Sequence, residues 1–156
     1  MPRSIALDAN LLILLVVGLV DRDLIQTHKR TKSFEPADFD LLTSILAGYD
    51  EIVVTPNVLT ETSNLLAQVR EPARTRLMRQ LALIVPTQRE EYVASAEVTR
   101  HPDFVRLGLT DCGLLDVVGD ELVMLTTDHD LYMAASRQNA KTINFNHLRQ
   151  RRLLGR

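Results

Sequence analysis

Hydrophobic and polar positions along this chain alternate between two rhythms, short unbroken apolar runs and longer stretches of helical period. Ser4-Ile5-Ala6-Leu7 is an apolar run that stops at Asp8, as a short buried strand does. Leu11 to Val20 is apolar throughout and predicts a core helix over 11–20. The stretch 21–28 predicts a second short helix, and 28–33 a polar, basic loop. Pro36 suits a first helical position, and Phe39, Leu42, Ile45 and Leu46 then repeat at helical spacing as far as Gly48. Glu51 to Thr55 reads as the second strand. Pro56 opens a helix with Val58, Thr62, Leu65, Leu66 and Val69 inward. Pro72 opens another, with Leu77, Met78, Leu81 and Ala82 inward.

The second half repeats the scheme. A third strand is expected over 83–85, a helix over 90–99 and a loop over 100–106. Thr110 is a good N-cap for a helix whose inward stripe holds Leu114, Leu115 and Val118, and Gly119-Asp120 ends it. Leu122 to Leu125 reads as a buried strand, 131–138 as a helix, 142–145 as a last strand and 147–152 as a short helix or tail. About five strands joined by helical crossovers predict an α/β fold, a parallel sheet with helices on both faces.

At 156 residues the chain is long enough for one domain with a real core and too short for two ordinary ones. The net charge of −2 excludes a molecule that is basic as a whole, so any nucleic-acid binding must come from local patches. The single cysteine, Cys112, excludes a disulfide within the chain and fits a reducing cytosol. The run 11–20 is shorter than the about 20 residues a bilayer span needs. Asp8 and Asn10 precede it where a signal peptide would be basic, so no membrane segment is expected.

The chemistry lies in the carboxylates. Asp8 and Asp128 each follow a predicted strand, at the edge where open parallel sheets build their sites. Asp111 precedes Leu114, Leu115 and Val118 by three, four and seven residues and shares their face, whereas Asp116 lies about 140° round the helix and faces outward. Glu61 stands between Val58 and Leu65 at the edge of an apolar face, with Asn64 one turn on. Taken singly, Asp111 suits the helix dipole and Asp128 or Asn10 a helix cap. Together, four acids from four segments could meet at one edge, where they repel unless a cation joins them. A hard divalent ion such as Mg²⁺ takes oxygen ligands, polarises a phosphoryl oxygen and activates water, which points to phosphodiester hydrolysis.

The set Asp8-x-Asn10, Glu61-x-x-Asn64, Thr110-Asp111 and Thr126-x-Asp128-x-Asp130 resembles, in order and spacing along nearly the whole chain, the PIN-domain ribonucleases. It is most similar to the VapC-type toxins of toxin–antitoxin pairs. The resemblance implies a single PIN domain over 1–156 with a three-layer α/β/α sandwich, Mg²⁺ or Mn²⁺, and endonucleolytic cleavage of RNA in the cytoplasm. By motif position, Asp8, Glu61, Asp111 and Asp128 match the acidic, metal-binding quartet. Asn10, Asn64 and Thr126 match polar residues that orient it, and Asp130 an additional acid that some members use. The implied partners are an RNA substrate, an antitoxin protein and, as a further option, a second copy of the chain.

Two basic segments are candidates for RNA contact: Lys29, Arg30 and Lys32, and Arg149, Arg151, Arg152 and Arg156. Helices at 11–28 and 37–47, rich in Leu and Ile, are expected to give the apolar surface for a partner. Three alternatives stay open at this point. They are an RNA-processing nuclease without antitoxin, a non-catalytic RNA-binding module and a phosphatase-like hydrolase of small molecules. Zinc is disfavoured by one cysteine and four histidines without HxxxH spacing.

Overall fold

In the computed structural model, which describes residues 2–119, 122–138 and 141–155, helices flank one all-parallel sheet. The elements in order are β1 (Ser4–Leu7), α1 (Ala9–Val20), α2 (Pro36–Leu46), β2 (Glu51–Val54), α3 (Pro56–Leu66), α4 (Ala73–Ile84), β3 (Arg89–Glu90), α5 (Ser95–Val98), α6 (Phe104–Val118), β4 (Val123–Thr126), α7 (His129–Gln138), β5 (Ile143–Asn144) and α8 (Phe145–Leu154). Strand order is β3-β2-β1-β4-β5. The chain winds outward from β1 to β3, then returns to the other side of β1 to lay down β4 and β5. The architecture is the expected three-layer α/β/α sandwich.

That order puts β1 in the middle, with Ile5 beside Ile52 on one flank and Val123 on the other. It also puts the topological switch between β1 and β4. In doubly wound sheets the crevice outside the carboxyl ends at this switch is where ligands bind. Here β1 ends at Asp8 and β4 at the turn carrying Asp128.

The core forms around α1. Leu11 to Val17 are buried without a gap, as expected of a helix that is apolar all round and covered on every side. Helices α2, α3 and α4 pack against α1, while α6 packs with α7 and α5. Gly18 lets α2 approach α1, since a Cβ there would lie 2.1 Å from the Phe39 ring. This burial corrects most of the expected docking surface: Leu11 to Val17, Phe39 and Leu42 are interior and cannot receive a partner, while Leu19 is exposed. Among the described residues no helix is long and apolar enough to cross a membrane.

Other expectations are also corrected. The stretch 21–28 holds only a 3-10 turn, Arg22–Leu24, followed by turns. Residues 83–85 close α4 and enter a 3-10 turn; the third strand is Arg89–Glu90, paired with Val53 and Val54. The helix expected over 90–99 shrinks to Ser95–Val98. A two-residue edge strand carries too little pattern to be read from sequence, and Pro86 removes a backbone donor just where a longer strand would need one. Asp120, expected to help end the helix before β4, lies outside the described residues; Gly119, in a positive-φ conformation, caps that helix.

Candidate active site at the carboxyl edge of the sheet

Asp8 is the most tightly held of the acids. It N-caps α1, accepting from the Leu11 amide at 2.9 Å through Oδ1. Its other oxygen faces across the switch point, accepting from the Thr126 hydroxyl and from the Thr127 amide at 3.0 Å. The side chain is almost fully buried. Burial pushes its carboxyl above the usual range, the three hydrogen bonds oppose that, and the charge of Asp128 adds to it. The expected cap at Asn10 is therefore supplied by Asp8, and Asn10 is exposed on the first turn of α1.

Thr126 links two acids. Its hydroxyl donates to Asp8 and accepts from the Asp128 amide at 3.0 Å. Asp128 itself is exposed and caps α7, accepting from the Leu131 amide at 2.8 Å. Capping and facing the switch point are compatible, because a cap uses one lone pair of one oxygen.

Asp111 comes from the other side of the edge. Helix α6 is broken at Gly108, whose φ of 85° no β-carbon residue adopts easily, and a new helical run begins beyond it. That run fixes the register expected from sequence: Leu114, Leu115 and Val118 are buried, Asp111 is half-buried and Asp116 is exposed. The Asp111 carboxyl is pushed up to about 7, first by burial and then by the charges of Asp128, Asp8 and Glu61. Those three are the other members of the expected quartet, and they bear on one carboxyl from β1, α3 and the β4 turn.

Glu61 is exposed on α3, whose start is set by Pro56 and by the Thr55 hydroxyl accepting from the Val58 amide at 3.2 Å. It borders a cleft of about 340 Å³ between α3 and α6, lined also by Asn57, Thr60, Asn64, Leu65 and Thr110. Asn64 thus stands at the cleft rather than behind an acid. Asn57 and Thr60 were not singled out from sequence, although Asn57 precedes Glu61 by four residues and so shares its face.

Asp130 does not join the acids that bear on Asp111. It is exposed and turns to Arg106, 3.5 Å away, which also pairs with Asp103 at 3.0 Å. The two basic segments divide. Lys29 and Lys32 are exposed and make no ion pair among the described residues, and Arg30 donates to Gln68 at 3.0 Å. Their loop is fastened to the end of α3 by His28, whose buried ring contacts the Leu66 carbonyl at 3.3 Å and accepts from the Arg30 amide at 3.1 Å. Leu66 is five residues beyond Glu61, about 7.5 Å along the helix axis.

Arg149 and Arg152 serve a different purpose from the RNA contact expected of them. Both bind Asp38, at 3.0 and 2.8 Å, and Arg152 also pairs with Glu35 at 3.6 Å. Arg149 donates in addition to the Ser33 carbonyl at 2.9 Å and lies 4.8 Å from the Phe34 ring centre. Asp38 is fully buried; burial opposes its charge, and hydrogen bonds from Arg149, the Glu35 amide and Arg152 outweigh that and hold its carboxyl below the usual range. These arginines fasten α8 to α2. Arg151 is exposed, and Arg156 lies outside the described residues.

The donors at the edge are carboxylate, hydroxyl and amide oxygens, the set that suits Mg²⁺ or Mn²⁺ and not a soft metal. Among the described residues no three His, Cys, Asp or Glu side chains stand grouped closely enough to hold an ion as placed. The acids share an electrostatic neighbourhood rather than a closed cage, with Asp8 and Asp128 each turned to hydrogen-bond donors of the chain. No protein-family model matches this sequence, and neither does any of the curated proteins compared with it.

Proposed function

We propose that this chain is a divalent-metal-dependent endoribonuclease of the PIN type, working through Asp8, Glu61, Asp111 and Asp128 at the switch point of the sheet. The observation that carries the reading is Asp111, a half-buried carboxyl pushed up to about 7 by burial and by the other three acids. Such crowding weakens the fold when no cation offsets it, and a strongly perturbed carboxyl among converging acids is a mark of functional sites. The order of the four motifs supports the PIN assignment by resemblance.

The division of labour follows from the geometry. Asp8 is held in one orientation by donors from both flanking segments. The backbone N–H of Asp128 donates to the same Thr126 hydroxyl, and its carboxylate is held by the Leu131 amide. Asp111 is the group with most to gain from a cation, and Glu61 connects the acids to the cleft, where the uncharged Asn57, Thr60 and Asn64 suit a sugar or base better than a phosphate. When bound, Mg²⁺ or Mn²⁺ would offset the clustered charge and polarise a phosphoryl oxygen. The exposed Lys29 and Lys32, in the loop fastened to the end of α3, would hold the RNA backbone in this reading.

Cleavage of a mixed RNA pool with Mg²⁺, with Mn²⁺ and with EDTA tests the proposal. The wild type cuts only with metal, and Asp8→Asn, folded as judged by circular dichroism, loses at least about 100-fold in rate. Full activity of Asp8→Asn in excess metal would refute the assignment. Within this reading we take the chain to be a cytoplasmic toxin held inactive by an antitoxin, on the resemblance alone. Expression in a bacterial host decides this: toxicity that disappears in Asp8→Asn supports it. Harmless high-level expression of an enzyme active in vitro favours an RNA-processing nuclease without inhibitor.

A further inference from the structure

We propose that Asn146, on the C-terminal helix and outside the four motifs, is a positioning residue that sets Asp8 and Asp128 through the Thr127–Asp128 peptide; the metal half of this inference rests on the function proposed above. The peptide is pinned at both ends. Its carbonyl accepts from the Asn146 amide at 3.1 Å, and its N–H donates to the Thr126 hydroxyl at 3.0 Å. The preceding N–H, that of Thr127, is the one that reaches Asp8 at 3.0 Å. Fixing the carbonyl therefore fixes the turn that orients both carboxylates.

Asn146 is itself held. Its side-chain oxygen accepts from Arg149 at 3.1 Å, and Arg149 is bound to the buried Asp38 at 3.0 Å. This settles which end of the amide faces Thr127, because only a nitrogen can donate to that carbonyl and only an oxygen can accept from the guanidinium. A continuous polar path thus runs from Asp38 on α2 through Arg149, Asn146 and the Thr127 turn to Asp8. Among the described residues Asn146 makes no hydrogen bond to an acid, so it acts through the turn and is not a catalytic residue.

Asn146→Asp removes the bond to Thr127 and keeps the one to Arg149, but adds a charge, which Asn146→Ala does not. An aspartate in the first turn of α8 suits the helix dipole and still accepts from Arg149, but has no N–H for the Thr127 carbonyl. Asn146→Ala removes both bonds, and Gln150→Ala, exposed on the same helix, is the control. Amide hydrogen exchange at Thr127 and Asp128 and Mn²⁺ affinity by electron paramagnetic resonance are read on each. In both Asn146 variants the two amides exchange about tenfold faster and the Mn²⁺ Kd rises about tenfold, the low end for partners behind a ligand. Gln150→Ala changes neither. Unchanged exchange in Asn146→Asp overturns the brace. Faster exchange with unchanged Mn²⁺ affinity overturns its role in setting the acids. Wild-type protein that binds no Mn²⁺ refutes the proposed function and the metal half of this inference, and the exchange rates still decide whether Asn146 holds the turn.

Discussion

Asp111→Asn should make the metal-free protein more stable, increasingly so as pH rises. The folded-state carboxyl sits at about 7 against 3.8 for the unfolded one. Between those values the native protein keeps a proton that the unfolded chain has released, so stability falls as pH rises through this window. Below pH 3.8 both states are protonated and the penalty vanishes; above about 7 it is complete. A difference of about three pKa units has a ceiling of about 4 kcal/mol. Solvent reaches the half-buried carboxyl and screens its neighbours, which reduces the expected penalty to about 1–3 kcal/mol. Asparagine is nearly isosteric and carries no charge, so the variant is free of the penalty. The assay is urea unfolding of both proteins in EDTA from pH 4.5 to 8.5. The two free energies should nearly meet at the acid end and diverge by about 1–3 kcal/mol at the alkaline end. Asp8, also raised by burial, slopes in the same sense in both proteins and enters the difference only through its repulsion of Asp111. Repeating the series with Mn²⁺ should close the gap by stabilising the wild type alone. Parallel curves across the whole range would refute the clustering of the four acids, and equal stabilisation of both proteins by Mn²⁺ would refute metal binding at Asp111.

Three further outcomes follow from particular contacts. Asp111→Asn should lower RNA cleavage at least about 100-fold and Asp116→Asn less than about threefold, because α6 turns the second away from the edge; equal losses would mean that the edge is not the site. Replacing Lys29, Arg30 and Lys32 with Ala should weaken RNA binding and flatten its log–log salt dependence by about 0.7 per lost phosphate contact, with little change in rate at saturating RNA; filter binding from 50 to 200 mM salt reads this, and an unchanged slope makes the loop an ordinary solvated turn. Gly18→Ala should cost about 1–3 kcal/mol in urea unfolding, since the added methyl meets the Phe39 ring at 2.1 Å and α1 and α2 must separate; a neutral result would show that Phe39 has room to turn aside.

Much of the fold is local and was legible as such. The period of apolar residues distinguishes strand from helix, and the Pro36 and Pro56 starts mark helix beginnings, because both depend on neighbours within a turn or two. The same locality places Asp8 and Asp128 at strand ends and separates Asp111 from Asp116 by phase alone. What the sequence could not determine depends on residues far apart in the chain. Strand order, which puts β4 beside β1 and so brings Thr126 to Asp8 across 118 residues, follows from how the helices share one core. The arginines of α8 look like an unpaired basic tail because their partner, Asp38, is 114 residues from Arg152 and is buried only once α2 has docked. Helix α1 looks like a surface for a partner because an apolar run reads alike whether it faces its own fold or another molecule. Asn146 gave no signal, since its role is created by the turn it meets. Periodicity determines which face of an element is apolar; only tertiary packing decides what that face, and each charge beside it, is set against.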